Sequence, residues 1–277
     1  MRIAAVLWRS AHPGPTVVVT VIALALGIAA GADAGRLALL AISVLCGQLS
    51  IGLSNDAIDA PRDQASGRAD KPLARPGGPV RIAWKAAFAT ALVALATSAV
   101  LTWQLALAHA VFLGCGWAYN AWLKSTPWSV VCFAVGFGVF PSLAPLALVE
   151  PHVAPAWEWA AGAALGVAVH FSNVLPDLED DERTGVRGLP HRLGRRASTF
   201  IAFGALAAGA AAALIGSGLK DGRVGWATWT VAGAVLALVI VGVVTAVTRP
   251  PARLSFQIVM IGALLLAAGL VIGSGTG

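Results

Sequence analysis

The sequence predicts an all-α membrane protein: nine transmembrane helices in one bundle, with two parallel internal repeats around a central cavity. Three observations predict it. Of 277 residues, 58% are hydrophobic and only 12% charged, with a mean hydropathy of +0.80. A soluble domain carries roughly a quarter of its residues as charges. Apolar runs long enough to cross about 30 Å of hydrocarbon recur nine times. An acidic pattern that closes the second run returns at the end of the sixth, 118 positions later.

The nine runs lie at approximately 14–32, 37–54, 82–102, 105–122, 128–149, 156–174, 197–218, 225–248 and 254–274. The first follows Arg2 and Arg9 and precedes Ala32-Asp33-Ala34, which imitates a cleavable leader. Its length, and the absence of anything like a secreted domain after it, make it a retained span. The second and sixth end in the two acidic clusters. The fourth is short and reads as tilted or broken. The chain is therefore one transmembrane domain over 1–277, with a first half of about 37–150 and a second of about 155–277.

Nine spans place alternate loops on one side. The N-terminus and the loops near 55–81, 122–127, 175–196 and 249–253 hold 16 of the 19 Lys and Arg; the other side holds only Arg36, Lys220 and Arg223. The positive-inside rule makes the first set cytoplasmic. The net charge of +6 is thus in part a topology signal, and no nucleic-acid partner is expected. The partner that composition demands is a lipid bilayer, and the location expected is the cell's inner membrane, multi-pass. Nine of the 13 acidic residues fall in the two clusters, so both face the cytoplasm. Four helices separate the copies, an even number, so the repeats run parallel and can share a site.

The remaining residue types carry less. Cys46, Cys115 and Cys132 lie in apolar runs without metal-ligand spacing and read as small hydrophobes. Most of the ten tryptophans fall near span ends, as interfacial residues do. The five histidines share no metal spacing; His170 and His191 lie nearest the second cluster, a general base and a phosphate contact at most.

The first cluster runs Ser54-Asn55-Asp56-Ala57-Ile58-Asp59-Ala60-Pro61-Arg62-Asp63. Asn55, Asp59 and Asp63 are spaced i, i+4, i+8, one face of a helix. A row of like charges on one face needs a cation, and hard oxygen ligands suit Mg²⁺. The pattern S-N-x3-D-x3-D-x3-G-x4-P returns as Ser172, Asn173, Asp177, Asp181, Gly185 and Pro190, six positions in register. The second cluster also holds Glu179, Asp180 and Glu182; Asp180 joins Asp177 and Asp181 as a candidate metal ligand. Basic residues follow both: Arg62, Arg68, Lys71 and Arg75, then Arg183, Arg187 and Arg192. Lys71 and Arg75 stand in K-P-x-x-R-P, a stiffened turn. Two carboxylate rows with basic residues behind them suit two Mg²⁺ ions bridged by a diphosphate. A diphosphate at the membrane face with its tail in the bilayer is an isoprenoid diphosphate. Its allylic cation needs dry walls and gains from aromatic faces.

These motifs resemble those of the UbiA superfamily of intramembrane prenyltransferases. Asn55-Asp56-x2-Asp59-x3-Asp63 matches its first aspartate-rich motif, and Lys71-Pro72-x2-Arg75-Pro76 looks like the turn that follows. The segment from Asp177 to Gly194 resembles the second motif with its Gly-Leu-Pro loop, and Tyr119 through Lys124 its Tyr/Lys motif. The resemblance covers nearly the whole chain. It implies that Asn55, Asp56, Asp59, Asp63, Asp177 and Asp181 coordinate Mg²⁺ and diphosphate, that Lys71, Arg75 and Lys124 contact diphosphate oxygens, and that Tyr119 borders the reacting carbon. Asp59, Asp177, Tyr119 and Lys124 are then the expected catalytic set. Asn55, Arg62, Arg68, Asn173, Arg183 and Arg187 are the further expected substrate contacts. Two features depart from the pattern: Asn173 stands where the second motif often begins with Asp, and four residues rather than three separate Tyr119 from Lys124.

The expected reaction is Mg²⁺-dependent transfer of an isoprenyl group to a small-molecule acceptor. The superfamily's acceptors include quinone precursors, tetrapyrroles, sugar phosphates and glycerol lipids. The reading favoured is an aromatic or quinone-type acceptor; the alternative is a membrane terpene cyclase that uses none. A transporter fits less well, because the acids gather at one face rather than at mid-membrane.

Overall fold

Helix is the response of an apolar chain to a solvent that cannot hydrogen-bond its backbone. In the computed structural model, which describes residues 3–68, 70–176, 178, 185–248 and 253–274, helices dominate and no strand occurs among the described residues. They are α1 (Ile3–Ser10), α2 (Pro13–Ala29), α3 (Ala34–Ala65), α4 (Val80–Leu101), α5 (Trp103–Ala121), α6 (Ser129–Val139), α7 (Leu143–Leu146), α8 (Ala156–Val174), α9 (Leu189–Asp221), α10 (Trp226–Thr248) and α11 (Arg253–Ser274). Short 3-10 turns cover Pro72–Ala74, Leu123–Ser125 and Phe140–Ser142.

The starts of these helices have local causes. Asp33 caps α3, accepting from the N–H groups of Gly35 at 2.9 Å and Arg36 at 3.0 Å. Thr102 caps α5 through Leu105 N at 3.0 Å. Proline occupies the first turn of α2 and of α9, where its missing N–H costs nothing.

All nine predicted runs fall on helix. Of these helices, α3, α4, the α6–α7 segment, α9 and α10 are long and apolar enough to cross a membrane alone. That makes five, or six if α1 and α2, bent by 68° against each other, form one broken span. Leu92, Val100 and Leu219 are among the large apolar side chains left exposed on these helices, as a lipid-facing surface requires.

The structure differs from the expected boundaries in four places. A separate short helix, α1, precedes the first run. α3 does not stop near 54 but continues to Ala65; its 32 residues span about 48 Å, more than the hydrocarbon needs. The acidic cluster lies on the last turns of α3, as its helical spacing requires. The run at 128–149 breaks at the 3-10 turn Phe140–Ser142, where Pro141 interrupts the hydrogen-bond ladder. α9 begins at Leu189, not 197, and is kinked at Gly194, whose φ is 78°.

Packing uses small residues. Ala83, Ala87, Ala94 and Ser98 line one stripe of α4 and are fully buried. α8 lies so close to α6 that a β-carbon on Gly162 would sit 2.2 Å from the Phe137 carbonyl oxygen, and one on Gly166 2.3 Å from that of Phe133. Such approach is how helices gain contact where lipid is as apolar as leucine.

Positions that match in sequence at the 118-residue offset also share local conformation. Ser54 Oγ donates to Ile51 O at 2.9 Å, and Ser172 Oγ to Val169 O at 3.1 Å, three residues back in each case. Gly67 and Gly185 both adopt left-handed backbone, with φ of 71° and 84°. Pro72 and Pro190 each stand in the first turn of a helical segment.

Candidate active site

The last turns of α3 turn three carboxylates inward. Asp56, Asp59 and Asp63 are 3%, 9% and 5% exposed. Their spacing, i, i+3, i+7, defines the buried face, and Asn55 sits half-buried at its flank. Each meets a protein cation. Lys71 Nζ lies 2.7 Å from Asp56 Oδ1, and His12 Nε2 lies 3.0 Å from the same oxygen. Lys124 Nζ is ion-paired to Asp59 Oδ1. Arg62 bridges Asp59 Oδ2 at 3.2 Å and Asp63 Oδ1 at 3.9 Å.

Local structure explains how these cations arrive. After α3 the chain reverses at Gly67, and the 3-10 turn Pro72–Ala74 holds Lys71 back over α3. α5 is pinned beside α3 by Asn120, whose Nδ2 donates to Ile51 O at 2.9 Å and Ser54 Oγ at 3.1 Å. Trp117 Nε1 adds a bond to Ser50 Oγ at 3.0 Å. The turn after α5 then delivers Lys124. Arg68 is engaged at the exposed rim by a two-pronged pair with Asp70, both bonds 3.0 Å. That hydrogen bonding holds the Asp70 carboxyl below the usual carboxylate range. Arg75 is exposed.

The Gly-Leu-Pro loop after the second motif comes to the same end of the bundle. Leu189 N donates to Ser129 Oγ at 3.1 Å, and a β-carbon on Gly188 would lie 2.5 Å from the Lys124 carbonyl oxygen. The Gly-Leu-Pro loop thus rests on the turn that carries Lys124. Asn173, at the end of α8, is exposed, as is Arg187, whose carbonyl accepts from Arg192 Nε at 3.2 Å. Asp177, Asp180, Asp181 and Arg183 lie outside the described residues. Among the described residues no group of three or more His, Cys, Asp and Glu is gathered as a metal site. The carboxylates of the first cluster are held instead by the protein's own cations.

A family model, the UbiA prenyltransferase family, matches residues 16–261. The chain belongs to the UbiA prenyltransferase family. No curated protein matches it. Among solved structures, a UbiA homologue from Aeropyrum pernix K1 in its apo form aligns with a TM-score of 0.76 at 17% identity, covering 93% of this chain and 97% of that one. A UbiA homologue from Archaeoglobus fulgidus bound to GPP and Mg²⁺ aligns with a TM-score of 0.73 at 16% identity, covering 98% and 100%. A structure of digeranylgeranylglyceryl phosphate synthase gives 0.74 at 12% identity, covering 100% of both chains. At these identities the likeness is one of fold.

In this UbiA-family chain an aromatic wall runs inward from the cluster. Tyr119 meets Phe133 edge-on at 4.9 Å, and Phe133 stacks with Phe137 at 6.2 Å. Phe137 continues to Phe112 at 6.3 Å and to Phe140 at 6.4 Å. Tyr119, Phe133 and Phe137 are half-buried, whereas Phe112 and Phe140 are closed into the core. Sequence reading proposed Tyr119 alone; the others were apolar residues in apolar helices, with nothing local to single them out.

His170 is 1% exposed, and its Nε2 lies 3.1 Å from Ser129 Oγ. It thus meets the hydroxyl at the start of α6 on which Leu189 N also rests. His12 was missed altogether as a site residue. Its signal was faint: a histidine before a helix-opening proline in the basic N-terminus.

Proposed function

We propose that the protein is a Mg²⁺-dependent intramembrane prenyltransferase. It moves an isoprenyl group from an isoprenoid diphosphate to a small aromatic or quinone-type acceptor and releases diphosphate. The observation that carries this reading is the set of three inward carboxylates at the head of an aromatic wall, met by Lys71 and Lys124 from two other segments and by Arg62 of α3 itself. The fold is shared with a homologue whose structure holds GPP and Mg²⁺.

The donor set fits a hard divalent ion. Asp56, Asp59 and Asp63, with Asn55, offer oxygen ligands, and Asp177, Asp180 and Asp181 supply the second set, while Asn173 contacts the substrate. Bound Mg²⁺ would neutralise the phosphate oxygens and so stabilise the leaving group. Lys71, Lys124 and Arg62, freed from their carboxylates, turn to diphosphate oxygens, with Arg68, Arg75, Arg183 and Arg187 at the rim. The bond from the allylic carbon to the diphosphate oxygen breaks, and its electron pair leaves with diphosphate. Tyr119 and Phe133 face the positive carbon, and the apolar helices keep water from it. The acceptor's nucleophilic atom bonds to that carbon and loses a proton to solvent. In this reading all nine helical runs cross the inner membrane, the two halves are repeats around one cavity, and the site opens to the cytoplasm.

The test is purified protein in lipid nanodiscs with labelled prenyl diphosphates, Mg²⁺, and a panel of aromatic and quinone-precursor acceptors. The expected result is Mg²⁺-dependent diphosphate release with a tail-plus-acceptor conjugate. A hydrocarbon or alcohol of the tail's own carbon number would make the protein a terpene cyclase. No Mg²⁺-dependent diphosphate release with any donor would overturn the enzyme reading.

A further inference from the structure

The corner between α1 and α2 is built against the first acidic cluster. At the corner, His12 adopts left-handed backbone, φ 52° and ψ 70°, the one non-glycine residue with positive φ among those described. Side-chain-bearing residues avoid this region, so a fold that holds one there has over-determined it. Two features do so. Gly52 of α3 is buried, and a β-carbon there would lie 2.5 Å from the Ala11 carbonyl oxygen. The corner's backbone therefore rests directly on α3, one helical turn before Asp56. Thr16 Oγ1 donates to the same carbonyl at 2.7 Å.

The side chain that this corner presents is His12. Its Nε2 lies 3.0 Å from Asp56 Oδ1, 44 residues away in sequence. A carboxylate only accepts, so Nε2 carries the proton and donates. Lys71 Nζ donates to the same Oδ1 at 2.7 Å. Both donors thus converge on one oxygen of a carboxylate that is 3% exposed. α1 closes the arrangement: Val6 and Ala11 pack in one cluster with Leu53, Ala57 and Leu73, joining the acidic turns of α3 to the turn after Lys71.

We propose that His12 is a positioning residue of the donor site. It pins Oδ1 of Asp56, also when Lys71 turns to the diphosphate, and so presents Oδ2 to the divalent cation. The α1–α2 corner is then a working part of the site rather than a membrane anchor. This rests on the proposed function above. Outer-shell hydrogen bonds to a metal-binding carboxylate are worth about 10- to 100-fold in metal affinity.

The test is Mg²⁺-dependent binding of labelled geranyl diphosphate to purified protein, measured without acceptor, with thermal melting in parallel. His12→Ala is expected to raise the Mg²⁺ concentration for half-maximal binding about tenfold, with the melting temperature unchanged. His12→Gln, which keeps a donor, is expected to recover part of the loss. Gly52→Ala, which displaces the corner with His12 intact, is expected to weaken Mg²⁺ dependence as His12→Ala does. An unchanged Mg²⁺ requirement in His12→Ala, with or without a lower melting temperature, overturns the proposal while leaving the enzyme reading in place. Wild-type protein that binds the donor without regard to Mg²⁺ would overturn both.

Discussion

Lys124, on the turn after α5, is ion-paired to Asp59, near the C-terminal end of α3. Sixty-five residues separate them in sequence. The pair joins the Tyr/Lys motif to the first aspartate motif, and the Gly188 loop of the second motif rests on the same turn. Lys124 thus lies where the described parts of the three motifs meet.

Asp59→Asn keeps the side chain's shape and removes its charge. Turnover is expected to fall at least about a hundredfold, the scale on which removing one preorganised electrostatic partner acts. The protein should still be extracted and purified as a folded species. Steady-state kinetics with labelled donor, beside size-exclusion chromatography, checks both. Activity within a few-fold of wild type would remove Asp59 from the site.

Lys71→Ala removes the cation before the turn Pro72–Ala74 and leaves the sequence of α3 intact. The donor's KM is expected to rise about tenfold, which is about 1.4 kcal/mol of transition-state stabilisation. Acceptor KM should not move. A donor titration at saturating acceptor measures it, and an unaltered donor KM counts against the assignment.

The aromatic wall predicts a change of product as well as of rate. Phe133→Leu keeps an apolar side chain but removes the ring beside Tyr119. Loss of a cation–π contact of about 0.5–2 kcal/mol lowers kcat by about 2- to 30-fold. The free alcohol of the donor should rise as a fraction of product, because the cation lives in a less protected space. Product analysis by mass separates this from a simple loss of binding.

Gly166→Leu tests the packing that holds the site together. Its side chain must enter where a β-carbon already lies 2.3 Å from the Phe133 carbonyl. Overpacking of this kind costs about 1–3 kcal/mol. The melting temperature in detergent should drop by several degrees, and α6, which carries Phe133, should lose its alignment. An unchanged melting curve would mean that α6 and α8 are not in this close contact.

Chelation tests the metal without mutation. EDTA is expected to abolish labelled-donor binding and excess Mg²⁺ to restore it, because the buried carboxylates of α3 repel diphosphate unless a divalent cation lies between them. Donor binding that survives EDTA would argue for the protein's own cations alone.

Much of this was legible locally. Apolar runs mark helices because in lipid each backbone group must be satisfied within its own segment. All nine runs fall on helix for that reason. The acidic spacing named the right turn of α3, although it placed Asn55 in the row where the buried face carries Asp56. The in-register positions Gly67 and Gly185, and Ser54 and Ser172, keep the same local conformation because such turns and hydrogen bonds are made within a few residues. Less legible were the ends of helices: the extension of α3 to Ala65 and the break at Phe140–Ser142 depend on packing and on one proline as much as on hydropathy.

The chain's own pattern was enough for its class, its acidic clusters and the family that these motifs resemble, since each is a property of one segment or of a fixed offset between two. Which cation meets which carboxylate was decided only by the packed bundle. His12 reaches Asp56 across 44 residues, and Lys124 reaches Asp59 across 65. A basic residue looks the same in sequence whether it anchors a loop to lipid headgroups or balances a buried acid. Only the close approach of the α1–α2 corner at Gly52, and the pinning of α5 by Asn120, select between the two.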